Sequence, residues 1–175
     1  DGDIANRRLD FRTICYFAPE LEGNTLNATI SGKVTGYVND FSIDKVKLTT
    51  DDGEFSTTVT GSMKGIPDIG QTTLDARADN MFFTFRGLGK FISQWIPDGE
   101  LDMSAFAKGM LFSGKAKASG LMNSMRASLE IGSLIGSAEA DVRFRNLVSS
   151  GKNIGLSGTV ATEDLDFGRV LGNGI

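Results

Sequence analysis

The stretch that decides the fold is Leu26-Asn-Ala-Thr-Ile-Ser-Gly-Lys-Val-Thr-Gly-Tyr-Val38. Its even positions, Leu26, Ala28, Ile30, Val34 and Val38 with Gly32 and Gly36, are apolar or glycine. Its odd positions, Thr25, Asn27, Thr29, Ser31, Lys33, Thr35 and Tyr37, are polar or amphipathic. A period of two is the signature of a strand with one buried face, bent or interrupted where glycine stands.

The same period recurs outward from this stretch. Val46, Leu48 and Thr50 alternate with Lys45, Lys47 and Thr49, and Asp51-Asp52-Gly53 then marks a hairpin. Phe55, Thr57, Val59, Gly61 and Met63 face away from Glu54, Ser56, Thr58 and Thr60, and Leu74, Ala76 and Ala78 from Asp75, Arg77 and Asp79. Further along, Met125 to Ile131, Ala138 to Phe144 and Leu156 to Val160 repeat the pattern. Many short runs with one apolar and one polar face predict a meandering antiparallel sheet.

Two segments follow a helical period instead. Phe11, Ile14, Cys15 and Ala18 fall on one helical stripe, and Leu88, Phe91, Ile92, Trp95 and Ile96 on another. Asp10 is placed to cap the first, and Pro19 and Pro97 stop the two helices. The fold class expected is therefore mainly β, a curved antiparallel sheet with two short amphipathic helices. The segment from Met103 to Phe112 has apolar residues on both parities and leaves its state open.

Phe17-x-Pro19 with Gly36 recurs 78 residues later as Trp95-x-Pro97 with Gly114, and 78 more from Ile92 reaches Val170 beside Phe167 and Leu171. A fixed offset of this kind is a sign of stacked units. Residues 1–175 are read as a single fragment of a longer protein, with approximate units 9–87 and 88–165 and the start of a third at 166–175.

Composition narrows the chemistry. The 175 residues include 22 Gly, 12 Phe, one Cys and no His, with a net charge of −4. An acidic chain without a basic face is a poor ligand for nucleic acid. Without histidine, a Ser-His-Asp triad is excluded within the chain, and the commonest general base and metal ligand is missing. Cys15 sits among apolar neighbours and reads as a small core residue. Gly109 to Ala116 approaches a phosphate-binding loop, but no Ser or Thr follows Lys115 and no helix signal comes after it, so a glycine bend in a strand is the reading. Asp51-Asp52 and Glu163-Asp164-Leu165-Asp166 fit no complete calcium loop and read as a turn and a solvated helix start. Asn27-Ala28-Thr29 matches a glycosylation acceptor, a pattern common by chance. No enzyme, metal or cofactor is expected.

Several segments together resemble a known family. They are Phe17-Ala18-Pro19-Glu20-Leu21, Ile30-Ser31-Gly32-Lys33-Val34-Thr35-Gly36, Gly65-Ile66-Pro67-Asp68, Gly155-Leu156-Ser157-Gly158 and Asp166-Phe167-Gly168-Arg169-Val170-Leu171. Their order, over roughly residues 9 to 172, resembles the C-terminal region of the TamB (translocation and assembly module) family of the AsmA-like superfamily. The last segment departs from the family's helix start, because Gly168 follows Phe167 directly. The resemblance implies an elongated β-groove folded lengthwise, a β-taco, in the periplasm, with the full protein anchored in the inner membrane and reaching the outer one. It implies transport of phospholipid in an apolar groove, outer-membrane biogenesis and protein secretion, and an outer-membrane β-barrel assembly partner. Membrane contact falls to parts outside this fragment.

The residue pattern adds its own reason for such a groove. Two short helices are too little to cover one apolar face of about ten strands, and an uncovered face marks a binding surface. Stacked at strand spacing, these would give roughly 50 Å of trough. The lining residues expected are Leu26, Ile30, Val34, Val46, Leu48, Phe55 and Val59 from strands and Phe17 and Trp95 from helices. A closed core explains the same residues, as does a structural spacer or surface adhesin. Leu156 to Thr162 is the expected edge if strand addition is the function.

Overall fold

A computed structural model of the chain describes residues 2–10, 27–68, 70–93, 106, 109–146 and 154–171. Nine strands form one sheet: β1 (Gly2–Asp10), β2 (Asn27–Tyr37), β3 (Asp40–Thr50), β4 (Phe55–Lys64), β5 (Thr73–Phe83), β6 (Phe112–Leu121), β7 (Ser124–Ser133), β8 (Gly136–Arg145) and β9 (Gly155–Glu163). Helix α1 (Phe85–Ser93) follows β5 and the single turn α2 (Phe167–Val170) follows β9. The strands lie in chain order, and every neighbour pairs antiparallel. The sheet is curved and unclosed, so the expected fold class holds. The sequence pattern did not reveal β1, whose residues Gly2 to Asp10 show no alternation. The stripe from Phe11 to Ala18 lies outside the described residues.

Two bulges keep the apolar side chains on one face. In β3, Phe41 and Ile43 are at odd positions and Val46 and Leu48 at even ones, and the register shifts between Ile43 and Val46. Lys45 sits in the gap at φ 49°, so one extra residue switches the parity. In β5 the shift lies between Ala78 and Met81, with Asn80 at φ 50°. Met81 and Phe83 therefore join Leu74, Ala76 and Ala78 on the apolar face, and Phe82 turns out to solvent.

Glycine provides the close approach that lets strands bend together. A Cβ on Gly61 would collide with the Asp75 carbonyl oxygen, and one on Gly114 with that of Glu130. Both glycines lie on the apolar face, where missing side chains let the sheet close in on itself.

The core is local. Phe55, Met81, Phe83 and Phe112 are buried together, with Leu88 and Phe91 of α1 against them. Phe91 stacks on Phe55 at 4.4 Å between centroids, and Phe83 on Phe112 at 5.5 Å. The helix begins at Phe85, three residues before the apolar stripe that announced it, because Thr84 caps it: its hydroxyl accepts from Gly87 N–H at 3.0 Å.

Candidate functional site: an apolar trough across the strands

Directly paired residues in an antiparallel sheet share a face, so the register defines rows that run across the strands. One row reads Val34, Ile43, Gly61, Ala76, Ala118, Ala127, Val142 and Gly158. The next reads Val46, Val59, Ala78, Ala116, Leu129, Ala140 and Val160. From β4 onward these two rows consist mostly of Gly and Ala. Bulkier rows flank them. On the α1 side stand Phe55, Phe83 and Phe112, then Met81 and Ile131. On the other side stand Phe41, Met63, Leu74 and Met125. The result is a shallow trough with a floor of small side chains and walls of large ones. Seven strand spacings, from β2 to β9, make it ~34 Å long.

Coverage of this face is unequal. Beneath α1 the side chains are shut away: Phe83 is 1% exposed and Phe112 2%. Along β7 and β8 the floor residues Ala127, Ala140 and Val142 are half-buried, and on β9 Leu156 and Val160 are 68% and 72% exposed. At that end the described residues offer only the single turn α2, whose Val170 is buried, and Leu156 and Val160 stay exposed.

The expected lining residues divide accordingly. Ile30, Val34, Val46, Leu48 and Val59 are half-buried on the apolar face, Ile30 paired with Leu48 and Val46 with Val59. Phe55 is closed inside the core beneath α1. Leu26, Phe17 and Trp95 lie outside the described residues. The lining residues expected from the sequence leave out the Ala floor of β5 to β8, although the alternation of Ala with charged residues, as in Ala116-Lys117-Ala118, carries that signal.

The opposite face is polar and laced with charge. Arg126 holds Asp141 through two nitrogens, Nε to Oδ1 at 3.0 Å and Nη2 to Oδ2 at 2.5 Å. This hydrogen bonding lowers the Asp141 carboxyl and raises the guanidinium. Lys115 Nζ lies 2.8 Å from Glu130 Oε2. The segment resembling a phosphate loop thus leads into strand β6, with its lysine in a cross-strand ion pair.

A charged clamp fixes α1 over the aromatic wall of the trough. Lys90 Nζ donates to Asp52 Oδ2 at 2.6 Å and to Glu54 Oε2 at 3.1 Å. The Thr50 hydroxyl and Glu54 N–H donate to the same Asp52 carboxylate, at 2.7 and 3.1 Å. Burial pushes the Asp52 carboxyl up, but the hydrogen bonds from Lys90, Thr50 and Glu54 outweigh it and hold it at about 2. The Asp51-Asp52-Gly53 turn therefore joins two strands and anchors a helix.

Among the described residues no cluster of His, Cys, Asp or Glu is arranged to hold a metal, and no helix is long and apolar enough to cross a membrane. No family model, curated protein or solved structure matches this chain.

Proposed function

We propose that this chain is a segment of a lipid-transport bridge in the periplasm, carrying phospholipid acyl chains in its apolar trough toward the outer membrane. The observation that carries the reading is a long apolar face that, among the described residues, α1 covers only around Phe55, Phe83 and Phe112. Each methylene withdrawn from water into such a trough is worth ~0.8 kcal/mol. A floor of Ala and Gly between bulkier walls offers width for a chain without a fixed pocket, which suits movement along the trough better than tight capture. Headgroups stay at the wet rim. No residue is assigned a catalytic role, and the TamB resemblance supports the same reading with support of outer-membrane biogenesis. The strands of the trough serve as binding surface and scaffold together.

Site-specific photo-crosslinking in cells tests this. A probe at Ile30, half-buried on the apolar face, is expected to yield lipid adducts, and one at its exposed neighbour Thr29 none. A folded protein with no adduct at either position would sink the reading in favour of a closed structural module.

A further inference from the structure

The face opposite the trough is polar except in one place. The bulge at Asn80 brings Met81 and Phe83 to the apolar face and leaves Phe82 outward, 47% exposed. Phe82 pairs with Ser113, Ser113 with Gly132, and Gly132 with Ser137, so these four form one outward row. At the rim above this row Leu111, just before β6, is 58% exposed, and Leu134, in the turn after β7, is fully exposed. Below it run Lys115, Glu130 and Glu139, again directly paired from strand to strand. Along the row the surface dips into a shallow cavity of about 470 Å³, lined by Phe82, Ser113, Lys115, Gly132, Ser137 and Glu139 among others.

The floor of this groove is low because its side chains are small. At Gly132 nothing lies within 4 Å of where a Cβ would stand. Charge along the lower side is unbalanced. Asp79 is held by Arg77 Nε at 2.8 Å, and Glu130 by Lys115 Nζ at 2.8 Å. Glu139 stands directly across from Glu130, like charge beside like charge, and has no counter-ion among the described residues. Exposed apolar side chains on one side of a groove and an uncompensated carboxylate on the other mark a surface for a partner that is apolar on one face and basic beside it. The strands that carry the groove, β5 to β8, are each paired on both edges, so its occupant lies on the face of the sheet and adds nothing to the ladder.

We infer that this groove docks an amphipathic helix of a partner protein. Apolar residues of the helix at i, i+4 and i+7 meet Phe82, Leu111 and Leu134, and Lys or Arg on its flank meets Glu130 and Glu139. The three apolar anchors belong to β5, β6 and the end of β7, so at strand spacing they span ~10 Å. Seven residues of helix rise ~10 Å as well. Ser113, Gly132 and Ser137 leave room for the helix to approach between the two sides. An anionic membrane surface would meet Glu139 with the wrong sign of charge, and so would a second copy of this chain, whose net charge is −4. The groove and the trough lie on opposite faces, so the inference does not depend on what the trough carries.

The test uses the whole chain with a fluorescent helical peptide that carries leucine on one face and lysine on the other. Saturable binding is expected, with amide shifts at Phe82, Leu111 to Lys115, Gly132 to Leu134 and Glu139. A peptide with glutamate in place of lysine should not bind. Gly132→Val fills the floor without meeting a neighbouring atom, and Glu139→Lys inverts the uncompensated charge. Each should leave the melting curve in place and weaken binding roughly tenfold. Val160→Asp, on the trough face, should leave binding unchanged. A folded chain that ignores the peptide overturns the inference. So does binding that Val160→Asp abolishes, which belongs to the trough, or binding that survives Gly132→Val and Glu139→Lys. Leu111 and Leu134 methyl signals shielded from a soluble paramagnetic agent in the free chain would show the groove already covered by the chain or a second copy of it, and also overturn it.

Discussion

The β4–β6 region beneath α1 and the β8–β9 end of the sheet carry the same binary pattern and reach opposite outcomes. Both alternate apolar with polar residues. Under α1 the apolar positions are Phe55, Met81, Phe83 and Phe112, all buried. At the far end they are Ala138, Ala140, Gly158 and Val160, half-buried or exposed. Alternation places a side chain on a face. Bulk and a covering helix determine whether that face becomes a core. A sheet can thus be closed on some strands and stay exposed on others, because the aromatic cluster needs only one helix to exclude water.

Truncating one side chain in each region tests this contrast most severely. Phe83→Ala is expected to cost ~3–5 kcal/mol, the usual range for deleting a buried aromatic side chain. Val160→Ala, at a residue 72% exposed, should stay within about 0.5 kcal/mol. Urea midpoints at constant slope measure both. Comparable losses at the two sites would mean that the β9 face is packed against something, and the open-trough reading would fall.

The clamp on α1 gives a smaller effect. Lys90→Met removes contacts to Asp52 and Glu54 that are partly exposed, so solvent screening limits the loss to ~1 kcal/mol at pH 7. The sign with pH follows from Asp52, whose carboxyl is held at about 2, below its ordinary 3.8. Its contribution is complete above 3.8 and disappears as pH falls through 2. Lys90 is raised above 10.5, chiefly by its hydrogen bond to Asp52, so its share persists below 10.5 and fades as pH climbs past the raised value. Between pH 4 and 2, stability should therefore fall more in the parent chain than in Lys90→Met. Parallel curves would show that the clamp does not hold α1.

How much of this was legible in the sequence depends on what sets each feature. The faces of β2, β4, β7 and β8 follow from alternation, and Asp51-Asp52-Gly53 announced its turn. The parity switches at Lys45 and Asn80 did not show, because a bulge is a register choice between two strands and leaves no period of its own. Thr84 as the helix start was hidden for a related reason: its hydroxyl matters only once Gly87 lies above it. Ile30, Val34, Val46, Leu48 and Val59 lie half-buried on the face that the alternation assigns to apolar side chains. The division between closed Phe55 and the open Ala floor requires knowing where α1 lands, which is a tertiary fact.

The smallest effect belongs to the polar face, and it separates charge from packing. Arg126 and Arg143 are directly paired across β7 and β8, two like charges side by side. Asp141, two residues before Arg143, is gripped by Arg126 and feels both guanidinium groups. Asp141→Asn should leave the two arginines facing each other without their counter-charge. The variant is then expected to be slightly less stable than the parent at low salt and to match it at 1 M salt, where screening acts over about 3 Å. Thermal melts at the two ionic strengths read this directly. A deficit that persists in high salt would mean that Asp141 contributes through packing or hydrogen-bond geometry, and the polar face would then share the stabilising role assigned to the aromatic cluster.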